Sequence, residues 1–344
     1  MPYPGKTAVG LAAALERHLE WAADMGFMPS EAAADRYRFS QHAEVGAWFC
    51  PEPGEDRDLD LQLDVNGWFF MMDDAFDVPA GQTADGAVAV CQRLIELLSN
   101  PSATGAGRAA SPLVAAFADI WQREREGMSE FWQQRASCTW TGYLGGNLAE
   151  EASRRAGPEL TPAQYMRVRR RSVGVLPAYD MRECIGPSEV PPLAWHSIHL
   201  EAMRRLSVEH VIMVNDVCSL EKDEARHETN LVTLLMKQSG LSRDAAIRQV
   251  VSTADEHMRK FQEMESVIPR LCDQLALTDM GCAAVHHHVV SMRDMVSGNY
   301  HWSRACGRYS LEAAGLLGPG SPGLLGLHDL THPADCVLME ICLS

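Results

Sequence analysis

Apolar residues recur at helical spacing along most of this 344-residue chain, and that spacing limits its fold more than any other feature. Leu11, Leu15 and Leu19 predict a first helix over about 7–25, and Ser30 is placed to cap a second that starts at Glu31. No stretch alternates apolar and polar residues long enough to indicate a strand. The chain is therefore predicted to be all-α. Further helices are predicted over 60–77, 84–99, 111–136, 137–156, 162–186, 192–224, 229–239, 242–275 and 278–306.

The separators between these segments are short and carry Pro, Gly, Ser or Asn, which favour turns. Pro51–Asp60 is interpreted as a polar break before the helix over 60–77. Because no linker and no internal repeat divides the helical region, residues 1–314 are predicted to form one helical domain. After Ala314, glycines and prolines interrupt the leucines, so residues 315–344 are predicted to form an irregular, peripheral C-terminal tail.

The chain is acidic, with a formal charge of −16. It has no broad basic face that could neutralise phosphates, so nucleic acid is not expected as a partner. No signal peptide is visible, and no stretch approaches the roughly 18 apolar residues of a membrane span. Ten cysteines are scattered without a CxxC pair, as is typical of a reduced, cytoplasmic protein. The oligomeric state stays open, and a homodimer is compatible with the sequence.

The five large apolar residues of Trp68–Met72 lead directly into a group of three carboxylates, Asp73, Asp74 and Asp77. Asp73 and Asp77 are four residues apart and share a helix face. A proline and a glycine follow and end the helix, so the acids lie near a C-terminal end that already carries partial negative charge. A hard cation such as Mg²⁺ would supply the counter-charge. The alternative is a solvated acidic helix end, but the apolar run favours a site at the edge of a buried wall.

A second polar group, Asn215, Ser219 and Asp223, has spacing i, i+4 and i+8 and therefore forms one stripe along about two helical turns. An amide, a hydroxyl and a carboxylate in line suit one divalent cation that remains open to a phosphate. Taken alone, the stripe could equally be a polar helix surface. Two such groups, each following an apolar run, favour a pair of metal sites.

Four motifs together resemble one family. Asp73–Asp77 matches a DDxxD signature and Asn215–Asp223 matches NDxxSxxxE/D, with Asp223 where Glu is commoner. Arg169–Gly174 is similar to an RRxTxG element, and Gly298–Tyr309 to a GNxxW…RY ending. Their order and separation, over roughly 35–310, resemble those of bacterial class I terpene synthases. Short stretches at 118–121 and 127–128 look closest to sesquiterpene cyclases of the pentalenene synthase kind.

The resemblance implies a single helical bundle around an apolar cavity, and a linear isoprenyl diphosphate as the substrate. It also implies three Mg²⁺ ions, with Mn²⁺ as an alternative. Carried over, Asp73 ligates directly, while Asp74 and Asp77 ligate through water or hold basic side chains when the site closes. Asn215, Ser219 and Asp223 hold one further ion. The chemistry is ionisation of farnesyl diphosphate, cyclisation of the carbocation to a sesquiterpene, and release of diphosphate.

The resemblance also implies basic residues that bind the diphosphate. Lys222 lies within the second motif, and Arg308 with Tyr309 matches the family's RY pair. For the arginine that senses the diphosphate we expect Arg170, which stands four residues before the glycine of its motif, with Arg169 as the competitor. Asp73, Arg170, Arg308 and Tyr309 are thus the expected catalytic residues.

Phe69, Phe70 and Trp302 are the candidate residues to line the cavity. Aromatic faces stabilise a carbocation through the ring quadrupole, by roughly 0.5–2 kcal/mol each. Any of the three could instead be an ordinary core residue. Apolar walls would also exclude the water that quenches a cation early.

Two alternative functions remain open. A chain-elongating isoprenyl diphosphate synthase has a similar fold but generally carries two aspartate-rich motifs, whereas here the second is Asn215, Ser219 and Asp223. The other alternative is a non-catalytic helical scaffold that binds partners through its acidic surface. The sequence also leaves open the product skeleton and whether water or deprotonation ends the reaction.

Overall fold

A computed structural model gives the structure of residues 2–76, 85–100, 111–156 and 159–306, together with residue 309. In these residues the chain forms helices and no strands, so the all-α prediction is confirmed. None of these helices is both long and apolar enough to cross a membrane. The predicted tail over 315–344 lies outside the described residues. The helices are α1 (Leu11–Asp24), α2 (Glu31–Ser40), α3 (Val45–Phe49), α4 (Asp56–Phe76), α5 (Asp85–Ser99), α6 (Pro112–Arg125), α7 (Glu130–Ala156), α8 (Pro162–Ser172), α9 (Val175–Cys184), α10 (Pro192–Trp195), α11 (Ile198–Arg226), α12 (Leu231–Ser239), α13 (Arg243–Glu265), α14 (Ile268–Gln274) and α15 (Asp279–Ala305).

Several helix ends differ from the sequence prediction. The Ser30 cap is confirmed, because its hydroxyl accepts the backbone N–H of Ala33 at 3.2 Å. The predicted boundary between 136 and 137 is wrong. The chain turns instead at Gly127, whose φ of 75° lies in the left-handed region, and the Ser129 hydroxyl then caps α7. The short helix α3 was not predicted, and α4 begins inside the predicted polar break.

Three predicted long helices are each divided in two. The segment over 162–186 breaks at Gly174, with φ 76°, into α8 and α9. The segment over 192–224 breaks at Ser197, whose hydroxyl accepts the N–H of Leu200 at 3.3 Å and so starts α11. The segment over 242–275 breaks at Ser266 and Val267. In each case the apolar period continues across a local change of backbone direction, so the period alone hides the break.

The described helices enclose two large apolar clusters and a small third one between α1, α3 and α4. One large cluster is centred on α11, α13 and α15, and the other large cluster on α4 to α7. Phe69 packs against both clusters and therefore lies where they meet. Trp68, its neighbour, is fully buried in the second cluster, and its indole N–H donates to the carbonyl of Leu113 at 2.9 Å. The inner face of α4 thus runs between the two clusters.

A buried polar network fixes the outer face of α4. The Asp64 carboxylate lies 2.7 Å from Nδ1 of His18 and 2.8 Å from a guanidinium nitrogen of Arg123. The other ring nitrogen of His18 lies 2.9 Å from the Tyr37 hydroxyl. Gly67 permits this approach, because a Cβ there would stand 2.7 Å from both His18 and Tyr37. The network ties α1, α2 and α6 to α4, and so sets which side of α4 faces inward.

Glu124 is a buried carboxyl group away from that inner face. Its Oε2 accepts the indole N–H of Trp140 at 3.0 Å. Burial raises the pKa of Glu124 to about 8, although the bond from Trp140 counters the rise. Ionising this group in the folded protein therefore costs stability.

Replacing this acid should change how stability depends on pH. The folded pKa of Glu124 lies above the ordinary value of 4.5, so its contribution is fully present below about pH 4.5 and is lost as pH rises to about 8. Glu124→Gln keeps an acceptor for Trp140 but cannot ionise. We expect its free energy of unfolding, measured by urea denaturation, to fall less than that of the wild type over this range.

The same substitution at the exposed Glu126 is the control and should leave the pH profile unchanged. Parallel pH profiles for the wild type and Glu124→Gln would contradict the prediction.

Candidate active site

A cavity of about 470 Å³ lies between α4, α8, α9, α11 and α15. Its lining along α4 runs from Asn66 through Phe69 and Phe70 to Asp73. The lining along α11 likewise becomes polar towards its C-terminal end, from Val211 to Lys222 and Asp223. The remaining deep wall is largely apolar and includes Val45, Phe49, Val175, Ala178, Val211 and Met295.

Contacts between the helices show that these gradients are aligned. The rings of Phe70 on α4 and Trp302 on α15 are 5.5 Å apart. The Asn215 amide on α11 donates to the hydroxyl of Tyr309, just beyond α15, at 2.7 Å. Asn299, earlier on α15, contacts the carbonyl of Val211, earlier on α11, so these two helices run in the same direction. The charges of Asp73 and Asp216 both act on Arg169, so α4 ends beside the polar part of α11. One end of the cavity is apolar, and the other collects carboxylates and basic groups.

The stripe on α11 lies on the cavity wall. Asn215, Ser219 and Asp223 all line the cavity. The Ser219 hydroxyl donates to Oδ2 of Asp223 at 2.6 Å, and the buried Asn230 amide donates to the same oxygen at 2.8 Å. Lys222 Nζ lies 3.5 Å from the other Asp223 oxygen. The three oxygen-bearing groups thus share one face of α11.

Asp73 and Asp74 of the first acidic group lie in different environments. Asp73 is exposed to solvent and lines the cavity. Asp74 is half-buried and turns towards α2. There desolvation lowers the pKa of the Arg36 guanidinium, and the Asp74 charge counters that change. Asp77 lies outside the described residues. The structure therefore brings Asp73 to the same cavity as the α11 stripe.

The chemistry of these donors fits a hard divalent cation. An amide oxygen, a hydroxyl and carboxylates are the ligands such ions take. Asn215 uses its amide nitrogen in the bond to Tyr309, so its carbonyl oxygen is the atom it would offer. Among the described residues, no group of three or more His, Cys, Asp or Glu side chains is placed to hold a metal ion by itself. Any ion at the stripe would rely on Asn215 and Ser219 beside the single carboxylate of Asp223.

The two candidate sensor arginines face opposite ways. Arg169 lines the cavity, with Nη1 3.4 Å from Oε2 of Glu150. Arg170 is not on the cavity wall. Its guanidinium lies 3.2 Å from Glu209, and its Nε donates to the carbonyl of Met166 at 3.1 Å.

The structure thus places Arg169 at the cavity where the sequence analysis favoured Arg170. The prediction of Arg170 assumes one continuous helical turn back from Gly174, but α8 ends at Ser172 and Gly174 has left-handed backbone. The helical period therefore does not extend to that glycine. Within α8 the lining residues follow the spacing of one face: Tyr165, Val168, Arg169 and Ser172.

Of the remaining residues predicted to bind the diphosphate, Lys222 and Tyr309 line the cavity. Lys222 Nζ also lies 5.9 Å from the centre of the Tyr309 ring. Arg308 lies outside the described residues. The side chains that the structure brings together at the polar end thus include Lys222, Arg169 and Tyr309.

All three candidate aromatic residues lie on the cavity wall. Phe70 packs between Trp302 and the ring of His42, which is stacked on it at 4.4 Å. Phe69 is backed by Trp140, whose ring is stacked at 5.2 Å. The rings are therefore held in place from behind while they face the cavity.

Four carboxyl groups that line the cavity were not predicted as site residues, namely Glu150, Glu159, Asp216 and Glu228. Glu150 on α7 accepts from the Ser172 hydroxyl as well as facing Arg169, and no sequence pattern marks it. Asp216 is buried and accepts the N–H of Leu231 at 2.9 Å. Burial raises the pKa of Asp216 to about 7. Because Asp216 directly follows Asn215 in the second motif, the sequence could have indicated it as a site residue.

Known proteins resemble this chain over most of its length. Residues 64–260 match the family model described as terpene synthase family 2, C-terminal metal binding. R-linalool synthase of Streptomyces clavuligerus is 36% identical, with 96% of each chain covered. Pentalenene synthase of Streptomyces arenae is 34% identical over 96% of this chain and 98% of its own.

A solved structure and a further relative give the same result. The crystal structure of linalool/nerolidol synthase from Streptomyces clavuligerus has a TM-score of 0.81 at 36% identity, covering 88% of this chain and 98% of its own. A (−)-β-caryophyllene synthase of Saccharothrix espanaensis, named as cyclising (2E,6E)-farnesyl diphosphate, is 36% identical over 94% of this chain and 91% of its own. The protein therefore belongs to terpene synthase family 2, a metal-binding family, and is a terpene synthase.

Proposed function

We propose that this enzyme ionises farnesyl diphosphate and guides the resulting carbocation to a cyclic sesquiterpene with release of diphosphate. The observation that carries the proposal is the polarity of one cavity, with oxygen ligands and cations at one end and aromatic and apolar walls at the other. A linear isoprenyl diphosphate has the same two ends. The named farnesyl substrate of the caryophyllene synthase relative supports the chain length.

At the polar end, the chain's own residues would bind and orient the diphosphate. Asp73, with Asp74 and Asp77, and the stripe of Asn215, Ser219 and Asp223 would hold the divalent ions. Bound Mg²⁺, for which we expect three ions with Mn²⁺ as an alternative, supplies the positive charge that weakens the carbon–oxygen bond of the substrate. Arg169, Lys222 and Tyr309, with Arg308 as a further expected residue, would contact the diphosphate oxygens.

At the apolar end, the walls would fold the hydrocarbon chain and protect the cation. Phe70 and Trp302 present neighbouring rings, and Phe69 presents a third. Each ring attracts positive charge through its quadrupole. The surrounding aliphatic side chains limit the water that could reach the cation.

The alternatives from the sequence are less well supported. Membership of the terpene synthase family favours a cyclase over a chain-elongating synthase or a scaffold. One specific observation favours a second candidate, because a relative at 36% identity is named for linalool, an acyclic alcohol. In that case water would capture the cation before a ring closes.

Other predictions from the sequence concern the whole chain. We propose that residues 1–314 form one domain, followed by the irregular tail over 315–344. A cytoplasmic location and a homodimer are proposed on the same basis.

Product analysis tests the proposed function. The purified protein is incubated with Mg²⁺ and geranyl, farnesyl or geranylgeranyl diphosphate, and products are identified by gas chromatography–mass spectrometry. We expect the highest kcat/KM with farnesyl diphosphate and a cyclic C15 product. A longer diphosphate as product, or no turnover of any substrate, would rule out the cyclase, and an acyclic alcohol would support the second candidate.

The α11 stripe makes a separate prediction. Ser219→Ala removes an oxygen ligand and should lower kcat by on the order of 100-fold while raising the Mg²⁺ concentration needed for half-maximal rate. Ser207→Ala removes a buried hydroxyl from the same helix outside the cavity and should leave that Mg²⁺ requirement unchanged. Equal Mg²⁺ curves for Ser219→Ala and the wild type would remove the stripe as a metal site. Far-UV circular dichroism checks that both variants are folded.

The two arginines of α8 make the next prediction. Arg169→Gln removes a cation from the cavity wall and should lower kcat/KM by on the order of 100-fold. Arg170→Gln makes the same change one residue along, where the side chain contacts Glu209 outside the cavity. It should leave kcat/KM within about threefold of the wild type. The reverse order of effects would restore Arg170 as the sensor.

A further inference from the structure

Asn66 places a polar atom among apolar walls in the cavity. The residue is only 4% exposed and lines the cavity one helical turn before Phe70. Its amide nitrogen donates to the carbonyl of Gln62 in its own helix at 2.7 Å. No hydrogen bond to its Oδ1 occurs within the described part of the chain. The carbonyl oxygen is therefore the atom that Asn66 offers to the cavity, where leaving it unpaired is costly.

Asn299 repeats the arrangement on α15. It is 6% exposed, lines the cavity, and donates its amide nitrogen to the carbonyl of Val211 at 3.4 Å. It too offers its Oδ1 to the cavity. Two buried amide oxygens thus face a space whose other nearby walls are aliphatic or aromatic.

The two amides lie at a similar depth. The Phe70 and Trp302 rings, 5.5 Å apart, mark one level of the cavity. Asn66 precedes Phe70 by four residues, about 6 Å along the axis of α4, and Asn299 precedes Trp302 by three residues, about 4.5 Å along α15. Because both helices run towards the polar end, both amides lie on the deep side of the aromatic pair. They are thus separated from the diphosphate end by the rings.

A buried water needs two or more polar partners, and two carbonyl oxygens accept both of its O–H groups. A water held in that way directs its lone pairs away from the amides and into the cavity. The aromatic pair would hold the cationic carbon within reach of those lone pairs.

We propose that Asn66, together with Asn299, holds one water in the deep end of the cavity, and that this water captures the carbocation to give a terpene alcohol. The inference rests on the proposed function and extends it to the class of product. A carbon–oxygen bond forms between the water oxygen and the cationic carbon. The oxonium then loses one proton to the diphosphate released at ionisation, so substrate and water give an alcohol and protonated diphosphate without oxidation or reduction.

The first test follows the oxygen atom. The wild type is incubated with farnesyl diphosphate in ¹⁸O-labelled water, and diphosphate release is measured beside the mass spectra. We expect an alcohol that carries the label as the main product. Diphosphate release with only hydrocarbon products would overturn the water site and leave the proposed ionisation intact. No diphosphate release from any chain length would overturn the proposed function, and the water site with it.

The second test assigns the water to Asn66. Asn66→Leu keeps the branched shape of the side chain but removes the acceptor, so the alcohol-to-hydrocarbon ratio should fall about tenfold. This ratio reports partitioning of the cation and does not depend on the total rate. Asn147→Leu is the matched control, because buried Asn147 donates in the same way to the carbonyl of Tyr143, at 3.0 Å, but does not line the cavity.

The control should keep the wild-type ratio. An unchanged ratio in Asn66→Leu, or an equal fall in Asn147→Leu, would overturn the assignment. Asn299→Leu provides a second variant with the same expected fall, and it decides the matter if Asn66→Leu loses its helical circular dichroism.

Discussion

Negative charge concentrated at one end of the cavity is the constraint on which the rest of the site depends. Three helices, α4, α11 and α15, run towards that end, so the partial negative charges of their C-termini meet there. Asp73, Asp223 and Glu150 add full charges to the same region. Such an arrangement is unfavourable unless cations balance it, and the nearby Arg169 and Lys222 supply only part of the balance. The remaining negative charge favours the binding of metal cations at this end, and those cations in turn favour the binding of a diphosphate.

Asn230 holds this charged region in shape. It is fully buried, and its side chain caps α12 by accepting the N–H of Val232 at 2.9 Å. Its amide nitrogen also donates to the backbone of Asp216 and to the carboxylate of Asp223, each at 2.8 Å. One side chain therefore fixes the start of α12 and the orientation of a candidate ligand on α11. Asp223 can present its oxygens in a defined direction because its other contacts are settled by the fold.

The sequence predicted what depends on local pattern. Helical spacing indicated the all-α class, and the i, i+4, i+8 spacing of Asn215, Ser219 and Asp223 is enough to put them on one wall. It did not show where the backbone changes direction without interrupting the apolar period, as at Gly174. Counting one turn back from that glycine favoured Arg170, whereas Arg169 is the arginine that lines the cavity. Glu150 and Asn66 escaped notice for another reason. Their importance comes from which helices pack opposite them, and a single chain pattern does not contain that information.

Gly174 contributes no side chain, yet it shapes the cavity wall. A Cβ at this position would stand 3.2 Å from the ring of Phe69, and the backbone there is left-handed, with φ 76°. The Phe69 ring can pack this closely against the break between α8 and α9 only because Gly174 has no side chain. The shape of the cavity wall near Phe69 therefore depends partly on the lack of a Cβ atom at Gly174. A small displacement of the Phe69 ring would change that contour while the side chains at the polar end stayed in place.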